Sequence, residues 1–203
     1  MLTLLLVIIY LEFISLGLPD ALLGTAWPAA YSELGVPVST AGVLSAVVSC
    51  GTIISSLFSS RIIRRFGTGV TTTVSVAMTA VALLGISVAP GFWTMFLLAI
   101  PLGLGAGSVD AALNNFVALH YKAKHMNWLH SFWGIGASLG PVIMSFLLTR
   151  RGWRAGYSTI GWIQTGLVVI LAASLPLWRK CSGEKLDDGS PAEVLSINEL
   201  LKI

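Results

Sequence analysis

The chain has 203 residues, of which 55% are hydrophobic and 10% are charged, with a formal net charge of +3. A soluble domain carries roughly 25% charged residues because its surface must face water. The composition therefore excludes a soluble globular domain and is typical of a helical membrane protein, with charges confined to short segments and a mean hydropathy of +0.85.

Six apolar segments follow one another along the chain, each long enough to cross a hydrocarbon core of about 30 Å as a helix of about 20 residues. Their approximate bounds are Leu2–Tyr31, Thr40–Ser60, Val70–Ala89, Phe92–Leu119, Asn127–Thr149 and Tyr157–Trp178. A secretory signal peptide is the alternative interpretation of the first segment. It is not favoured, because no Lys or Arg precedes Arg61 and the apolar run continues past Trp27.

The basic residues predict the orientation of the six segments. With a cytoplasmic N-terminus, nine of them are cytoplasmic, namely Arg61, Arg64, Arg65, Lys122, Lys124, Arg179, Lys180, Lys185 and Lys202. The other three, Arg150, Arg151 and Arg154, are then outside. Since basic residues favour the cytoplasmic side, we expect this topology in the cell (plasma) membrane, with residues 180–203 also cytoplasmic.

The last stretch of the chain, 180–203, is polar and charged in both senses, which predicts the start of a cytoplasmic central linker. SINELLKI predicts the beginning of an amphipathic helix, and we expect the chain to be truncated inside the linker. Residues 1–179 then form a six-helix transmembrane bundle. Cys50 lies inside an apolar segment and Cys181 just past the last one, so we expect no disulfide, metal site or cofactor.

An internal repeat relates two halves of the bundle, at about 1–90 and 91–179. A shift of 89 residues matches Ser49, Gly51, Ile54, Ser56, Arg61, Arg65 and Gly67 with Ser138, Gly140, Ile143, Ser145, Arg150, Arg154 and Gly156. A shift of 90 aligns GxxDAxL at Gly17 with GxxDAxL at Gly107. Three crossings are an odd number, so the two copies must be inverted, an arrangement typical of secondary transporters. The outer arginines are then a relic of the symmetry.

Three carboxylates lie inside the predicted spans: Glu12, Asp20 and Asp110. A charge in hydrocarbon costs at least about 2.5–3.5 kcal/mol, so each should face a cavity or a partner. Helical spacing predicts stripes of Gly24, Trp27 and Tyr31 with Asp20, and of Gly103, Gly107 and Asn114 with Asp110. Carboxyl groups in such sites can load and release protons, which predicts coupling to a proton gradient. The alternatives are a packing hydrogen bond or an Arg pair for the aspartates, and contact with water for Glu12.

The fifth segment begins with a polar cluster, NWLHSFWGIGASLGP, which contains His130, Ser131 and Trp133. Histidine titrates near about pH 6.5, so His130 is a candidate for a proton relay, or alternatively an interfacial histidine. GLGAGSVD in the fourth segment looks superficially like a phosphate loop but predicts close helix packing. The chain has no nucleophile elbow, HExxH or phosphate-loop signature, so we predict that it is not an enzyme.

The chain resembles the N-terminal six-helix half of a major facilitator superfamily transporter, whose members have twelve helices. SRIIRRFGTG, after the second segment, resembles the superfamily signature GxxxDRxGRR. Arg65 and Gly67 fit this signature, whereas Ser60 replaces its first Gly and Arg64 its acid. The resemblance implies a gating loop containing Arg61, Arg64, Arg65 and Gly67.

GLPDALLGTAWPA, GSVDAALNNF and NWLHSFWGIGASLGP, on segments one, four and five, are similar to sequences of fucose-permease-like sugar transporters. This resemblance implies that acids on segments one and four couple transport to protons and that polar residues of a central cavity bind a sugar. The matching acids are Asp20 and Asp110, and we add Glu12 as a further proton-coupling candidate. The substrate-binding candidates are Trp27, Asn114, Asn115, His130 and Trp133.

We therefore expect an all-α integral membrane protein that carries a small solute by alternating access, coupled to protons. A sugar is favoured as the solute, and the expected partners are protons, the lipid bilayer and a missing C-terminal six-helix half, with no nucleic acid. The alternatives are a drug or metabolite exporter of the same fold, and a six-helix membrane scaffold or channel subunit.

Overall fold

The computed structural model describes residues 2–183, with the side chains of 3–180. Its helices are α1 (Leu2–Gly17), α2 (Leu22–Glu33), α3 (Thr40–Phe66), α4 (Thr68–Ser87), α5 (Phe92–His120), α6 (Ala123–Arg151) and α7 (Trp153–Gly183). The predicted linker with Lys185, Lys202 and SINELLKI lies outside the described residues, as does the side chain of Cys181.

Six stretches of the described chain are long and apolar enough to cross a membrane. They are Thr3–Glu33 (α1 with α2), Thr40–Phe66, Thr68–Ser87, Phe92–His120, Ala123–Arg151 and Trp153–Lys180. Within 2–183 the remaining residues form short turns, and no strand occurs there. The prediction of an all-α protein with six membrane-length helices is confirmed.

The first of these spans is interrupted, which the sequence analysis did not anticipate. α1 ends at Gly17 and α2 begins at Leu22, because Pro19 has no amide hydrogen with which to continue the helix. The missing hydrogen bond would have used the carbonyl of Ser15. The buried side chain of Gln164 in α7 donates to that oxygen instead, with an Nε2–O distance of 2.8 Å.

Asp20 lies in this break and not on a helical face. Its predicted alignment with Gly24, Trp27 and Tyr31 is therefore wrong. Trp27 is buried, with 4% of its surface exposed. Its indole N–H donates to the carbonyl of Val38 at 2.8 Å, which anchors α2 to the turn before α3.

α3 and α5 pack in parallel through small residues. Thr52 donates from its hydroxyl to the carbonyl of Gly103 at 3.3 Å, and Ser56 one turn later donates to the carbonyl of Gly107 at 3.3 Å. A Cβ added to Gly103 would lie 2.9 Å from the carbonyl carbon and Cα of Val48. Glycine at this contact therefore allows the two backbones to approach closely.

The pair related to α3 and α5 by the predicted repeat, α6 and α1, packs in the same way. Gly136 lies directly against the backbone of Ile14, and Gly140 against that of Leu18. The contact moves towards the C-terminus in α1 and in α6 alike, so these two helices are also parallel. We call the three spans of each half of the repeat a triplet. Both glycine-mediated contacts therefore join a helix of one triplet to a helix of the other.

α4 and α7, the last helices of the two triplets, pack against each other in opposite directions. Thr79 donates to the side-chain oxygen of Gln164 at 3.2 Å, while Leu84 lies beside Gly161, earlier in α7. Combined with the two parallel pairs, this contact makes each helix run opposite to its counterpart in the other triplet. That is the arrangement that an inverted repeat requires.

Single glycines make the sharp turns after the second and fifth spans. Gly67 and Gly152 have φ values of +80° and +79°, a left-handed conformation that residues with a Cβ disfavour. The sequence alignment paired Gly67 with Gly156, and this pairing is wrong because Gly156 lies inside α7. Measured from the matched packing residues Gly51 and Gly140, the bend at Gly152 comes about one helical turn earlier than the bend at Gly67.

The predicted pairing of Arg65 with Arg154 fails for the same reason. Arg65 lies at the end of α3, whereas Arg154 lies in the first turn of α7. Arg154 forms a salt bridge with Glu33 at 3.0 Å and donates to the carbonyl of Ala89 at 2.7 Å. It therefore clamps together the ends of α2, α4 and α7, so its position has a structural reason beyond symmetry.

Candidate functional site

Asp20 reaches from the break between α1 and α2 to α6. Its Oδ2 accepts a hydrogen bond from the indole N–H of Trp133 at 2.8 Å. The two residues are 113 positions apart in the chain, and both are exposed on the six-helix unit. The bond therefore links the interruption of the first span to the fifth span on an open face.

Asp110 lies on α5, one helical turn before Asn114. The side-chain amide of Asn114 donates to Oδ1 of Asp110 at 2.9 Å and to its carbonyl oxygen at 3.0 Å. Asp110 also interacts electrostatically with His130 of α6 and with Asp20. Five predicted site residues therefore lie near one another, as the hydrogen-bonded pairs Asp20–Trp133 and Asp110–Asn114 and the nearby His130. We call these five residues the polar network.

This network has the chemistry to hold and move protons. Carboxylates and an imidazole are the side chains that most often accept and donate protons near neutral pH. Across residues 3–180, no group of three or more His, Cys, Asp or Glu side chains is close enough to hold a metal ion.

Two of the predicted substrate-binding residues lie apart from the network. Trp27 is a buried residue of α2, and its indole N–H donates to the carbonyl of Val38. Asn115 is exposed on α5, and its side chain makes no hydrogen bond with any described residue. The polar end of Asn115 is therefore available to a ligand, whereas that of Trp27 is not.

A cavity of about 500 Å³ opens beside Asp20, between the break, α3 and α5. Most of its walls are apolar, and Ile86 of α4 and Tyr157 of α7 also line it. None of the five predicted substrate-binding residues lines it. The cavity and the polar network therefore share Asp20 and no other residue.

The hydroxyl groups of Ser45, Ser49 and Thr52 on α3 also line this cavity and were not among the predicted site residues. Their spacings of four and three residues place all three on one helical face. This pattern was available in the sequence. Serine and threonine are common inside membrane helices, however, so the pattern by itself does not distinguish a cavity from a packing surface.

Glu12 is buried in α1, with 1% of its surface exposed, so the alternative that it reaches water is wrong in this conformation. Neither of its carboxylate oxygens has a hydrogen-bond donor among the described residues, and the hydroxyl of Ser15 also lacks a partner there. Glu12 shares no hydrogen bond with Asp20 or Asp110. It is therefore a separate buried acid.

The predicted gating residues are mostly helical. Arg61, Arg64 and Arg65 lie in the last two turns of α3, which continues beyond its predicted end, and only Gly67 lies in the turn. The three side chains are exposed, and the guanidinium of Arg61 lies 5.6 Å from the ring centre of Phe58. Within residues 3–180 no carboxylate forms a salt bridge with them.

Comparison with known proteins gave one family and several relatives. Residues 9–202 match the family model described as Major Facilitator Superfamily. The Caenorhabditis elegans protein "Putative transporter svop-1" is 30% identical over 139 residues, which cover 66% of this chain and 26% of that protein. "Synaptic vesicle glycoprotein 2A" of Rattus norvegicus and of Homo sapiens is 21% identical over 164 residues, covering 79% of this chain and 22% of those proteins. The chain spans about a quarter of the length of these relatives.

Proposed function

The chain belongs to the major facilitator superfamily, and on this basis we propose that it forms half of a secondary transporter that moves a small organic solute by alternating access. The much greater length of the relatives supports a second six-helix half that completes the transport path. In transporters built from such repeats, the substrate binds near the middle of the bilayer, where the repeats meet.

Coupling to protons is supported above all by the position of Asp20, which lies in the break of the first span, accepts a hydrogen bond from α6 and is near enough to Asp110 for the two charges to interact. Among residues 3–180, neither aspartate has a Lys or Arg partner. An unpaired charge inside the span costs at least about 2.5–3.5 kcal/mol, so proton binding stabilises the network. Proton release requires water, which alternating access admits from one side at a time. Asp20 and Asp110 thus carry the proton, with His130 as a relay.

Glu12 enters the proposal as a second, buried protonation site. Its carboxylate oxygens have no donor among the described residues, so an ionised Glu12 would be an unpaired buried charge. Proton exchange at Glu12 therefore requires a conformation that admits water between α1 and its neighbours. In the conformation described here, Asp20 and Asp110 are the acids on the accessible face.

The sugar hypothesis for the substrate has limited support from the side chains. Asn115 and His130 are exposed and can bind hydroxyl groups. Asn114 and Trp133 already donate to the two aspartates, and Trp27 donates to Val38. The apolar cavity favours the second candidate, an exporter of drugs or metabolites, since such proteins use broad apolar cavities.

The location and orientation are part of the same proposal. We assign the protein to the cell membrane, with its N-terminus and residues 180–203 in the cytoplasm, because basic residues predominate on that side. Arg61, Arg64, Arg65 and Gly67 then form a cytoplasmic gating segment at the end of α3. Their exposed side chains are free to contact acidic groups of the second half.

The test of coupling uses Asp20→Asn and Asp110→Asn, which keep the shape of each side chain and remove its charge. In the natural full-length protein in liposomes, each variant should abolish uptake driven by an imposed proton gradient and leave passive exchange intact. Labelled hexoses and labelled organic amines serve as probes. Ser131→Ala is the control, because the Ser131 hydroxyl bonds only to the backbone of its own helix. Accumulation against a gradient by both aspartate variants would show that the coupling residues are wrongly assigned.

A further inference from the structure

We propose that the cavity beside Asp20 binds a small organic amine, with the ammonium group against the Asp20 carboxylate and the apolar body between α3 and α5. The inference rests on the proposed transport function, because it names the substrate class carried by the same site. It concerns Ser45, Ser49 and Thr52 as well as Asp20, whereas the residues first predicted to bind substrate lie elsewhere.

The cavity carries a negative charge. Asp20 is the one charged side chain among the described residues that line the cavity. Its Oδ2 is occupied by the indole N–H of Trp133, while the other carboxylate oxygen has no donor within residues 3–180. Asp110 lies close enough to add to the negative potential. The site is therefore complementary to a cation that has at least one N–H to donate.

The walls of the cavity are mostly apolar. Leu44, Val48, Met95 and Leu102 supply apolar surface from α3 and α5. A volume of about 500 Å³ falls within the range of roughly 300–1,000 Å³ that is usual for small-molecule sites. An inorganic cation would leave this surface uncovered, whereas an organic amine fills it with its hydrocarbon part.

Hydroxyl groups of α3 add hydrogen-bond acceptors to the cavity. An ammonium group has three N–H donors, of which the Asp20 carboxylate accepts one. Thr52 donates its own hydrogen to the carbonyls of Val48 and Gly103, at 3.1 Å and 3.3 Å, so its oxygen is left as an acceptor. Ser45 and Ser49 also line the cavity from α3, and their hydroxyl groups have no hydrogen-bond partner among the described residues. Acceptors thus outnumber donors at this wall, as an ammonium ligand requires.

The same features disfavour a sugar in this cavity. Each sugar hydroxyl that leaves water needs a hydrogen-bond partner, and sites for sugars accordingly offer amide and indole groups. No Asn, Gln or Trp is among the described residues that line the cavity. Sugar hydroxyls that point away from Asp20 and the hydroxyl groups of α3 would therefore remain unpaired against leucine, valine and methionine, at a cost in binding.

The experiment compares 1-aminoadamantane with 1-adamantanol, which have the same hydrocarbon cage and differ in charge. Binding to the natural full-length protein in lipid nanodiscs is measured by calorimetry at neutral pH, where the amine is protonated. The amine should bind about tenfold more tightly than the alcohol, as expected for a hydrogen bond to a charged group. In Asp20→Asn the two affinities should become equal, because the cage contacts remain and the carboxylate is lost.

Two alanine variants on α5 provide a matched pair. Ala106 lines the cavity, so Ala106→Phe fills it and should abolish binding of both probes. Ala118 is exposed on the same helix away from the cavity, so Ala118→Phe should leave both affinities unchanged. Equal affinity of the wild-type protein for amine and alcohol, or no binding of the amine, would overturn the inference. So would an affinity ratio that persists in Asp20→Asn.

The outcome also separates this inference from the proposed function. If proton-driven uptake depends on Asp20 while the protein does not distinguish amine from alcohol, the inference fails and the transport function stands. If the amine preference depends on Asp20 and no solute is moved by a proton gradient, the inference stands and the coupled transport function fails.

Discussion

Alanine at Gly136 tests the close packing of α1 against α6. A Cβ at this position would lie 2.8 Å from the carbonyl carbon of Ile14 and closer still to its oxygen, whereas ordinary contacts begin at 3.4 Å. The obstacle is helix backbone, which has no rotamer to change, so the two helices must separate by at least about 0.6 Å. Overpacking of this kind costs about 1–3 kcal/mol, and a backbone obstacle places Gly136→Ala in the upper half of that range.

Gly134 provides the matched control two residues earlier in the same helix. A Cβ there meets no atom within 4 Å, and alanine improves helix propensity over glycine by up to about 1 kcal/mol. Gly134→Ala should therefore be neutral or stabilising, and the two variants should differ by about 2 kcal/mol or more. Gly103→Ala, in the related contact of α5 with α3, should behave like Gly136→Ala.

The measurement is the free energy of unfolding of the natural full-length protein in mixed detergent micelles, by titration with a denaturing detergent and circular dichroism. Equal stability of Gly136→Ala and Gly134→Ala would show that α1 and α6 are not in backbone contact. A loss in Gly136→Ala without one in Gly103→Ala would show that the two related helix pairs do not pack alike.

Three further predictions use the same unfolding assay or the uptake assay. Glu33→Gln should lower the free energy of unfolding by less than about 1 kcal/mol, since half of the Glu33 side chain is exposed. Arg154→Gln should lower it by about 2 kcal/mol, because it also loses a charged hydrogen bond to a backbone carbonyl. Equal losses would contradict the clamp. Glu12→Leu should stabilise the protein, because it removes a buried carboxyl group without a donor, and a clear loss of stability would reveal a partner for that group. Trp133→Phe should reduce proton-driven uptake several-fold at unchanged stability, because Asp20 loses its indole donor; unchanged uptake would remove Trp133 from the coupling network.

The number and length of the spans were predictable because each depends on one segment at a time. A helix in lipid must satisfy its own backbone hydrogen bonds and carry about 20 apolar residues, whatever its neighbours are. The inverted repeat was also visible in the sequence, since the glycines that it pairs, Gly17 with Gly107 and Gly51 with Gly140, all lie at helix contacts. The position of the sharp turns was not visible in the sequence, because a helix can be one helical turn shorter without altering its packing face.

The interruption at Pro19 shows where reasoning about one segment fails. Hydropathy is averaged over a whole span, so it did not reveal that α1 and α2 are separate helices. The proline itself was visible, but prolines at 28, 101, 141 and 176 lie inside helices of this same chain. What distinguishes Pro19 is Gln164 of α7, which takes up the carbonyl that the proline leaves without a donor.

From the sequence alone it follows that the chain is a six-span helical membrane protein, that its two triplets are related, and that Asp20 and Asp110 are acids within the spans. Only the tertiary structure decided that Asp20 meets Trp133, that Glu12 is sealed off from water and that Ser45, Ser49 and Thr52 face a cavity. The periodicity of a helix defines its faces but not how far it rotates and slides against its neighbours. The contacts that make the site depend on that rotation and sliding, which the packing of all six spans together determines.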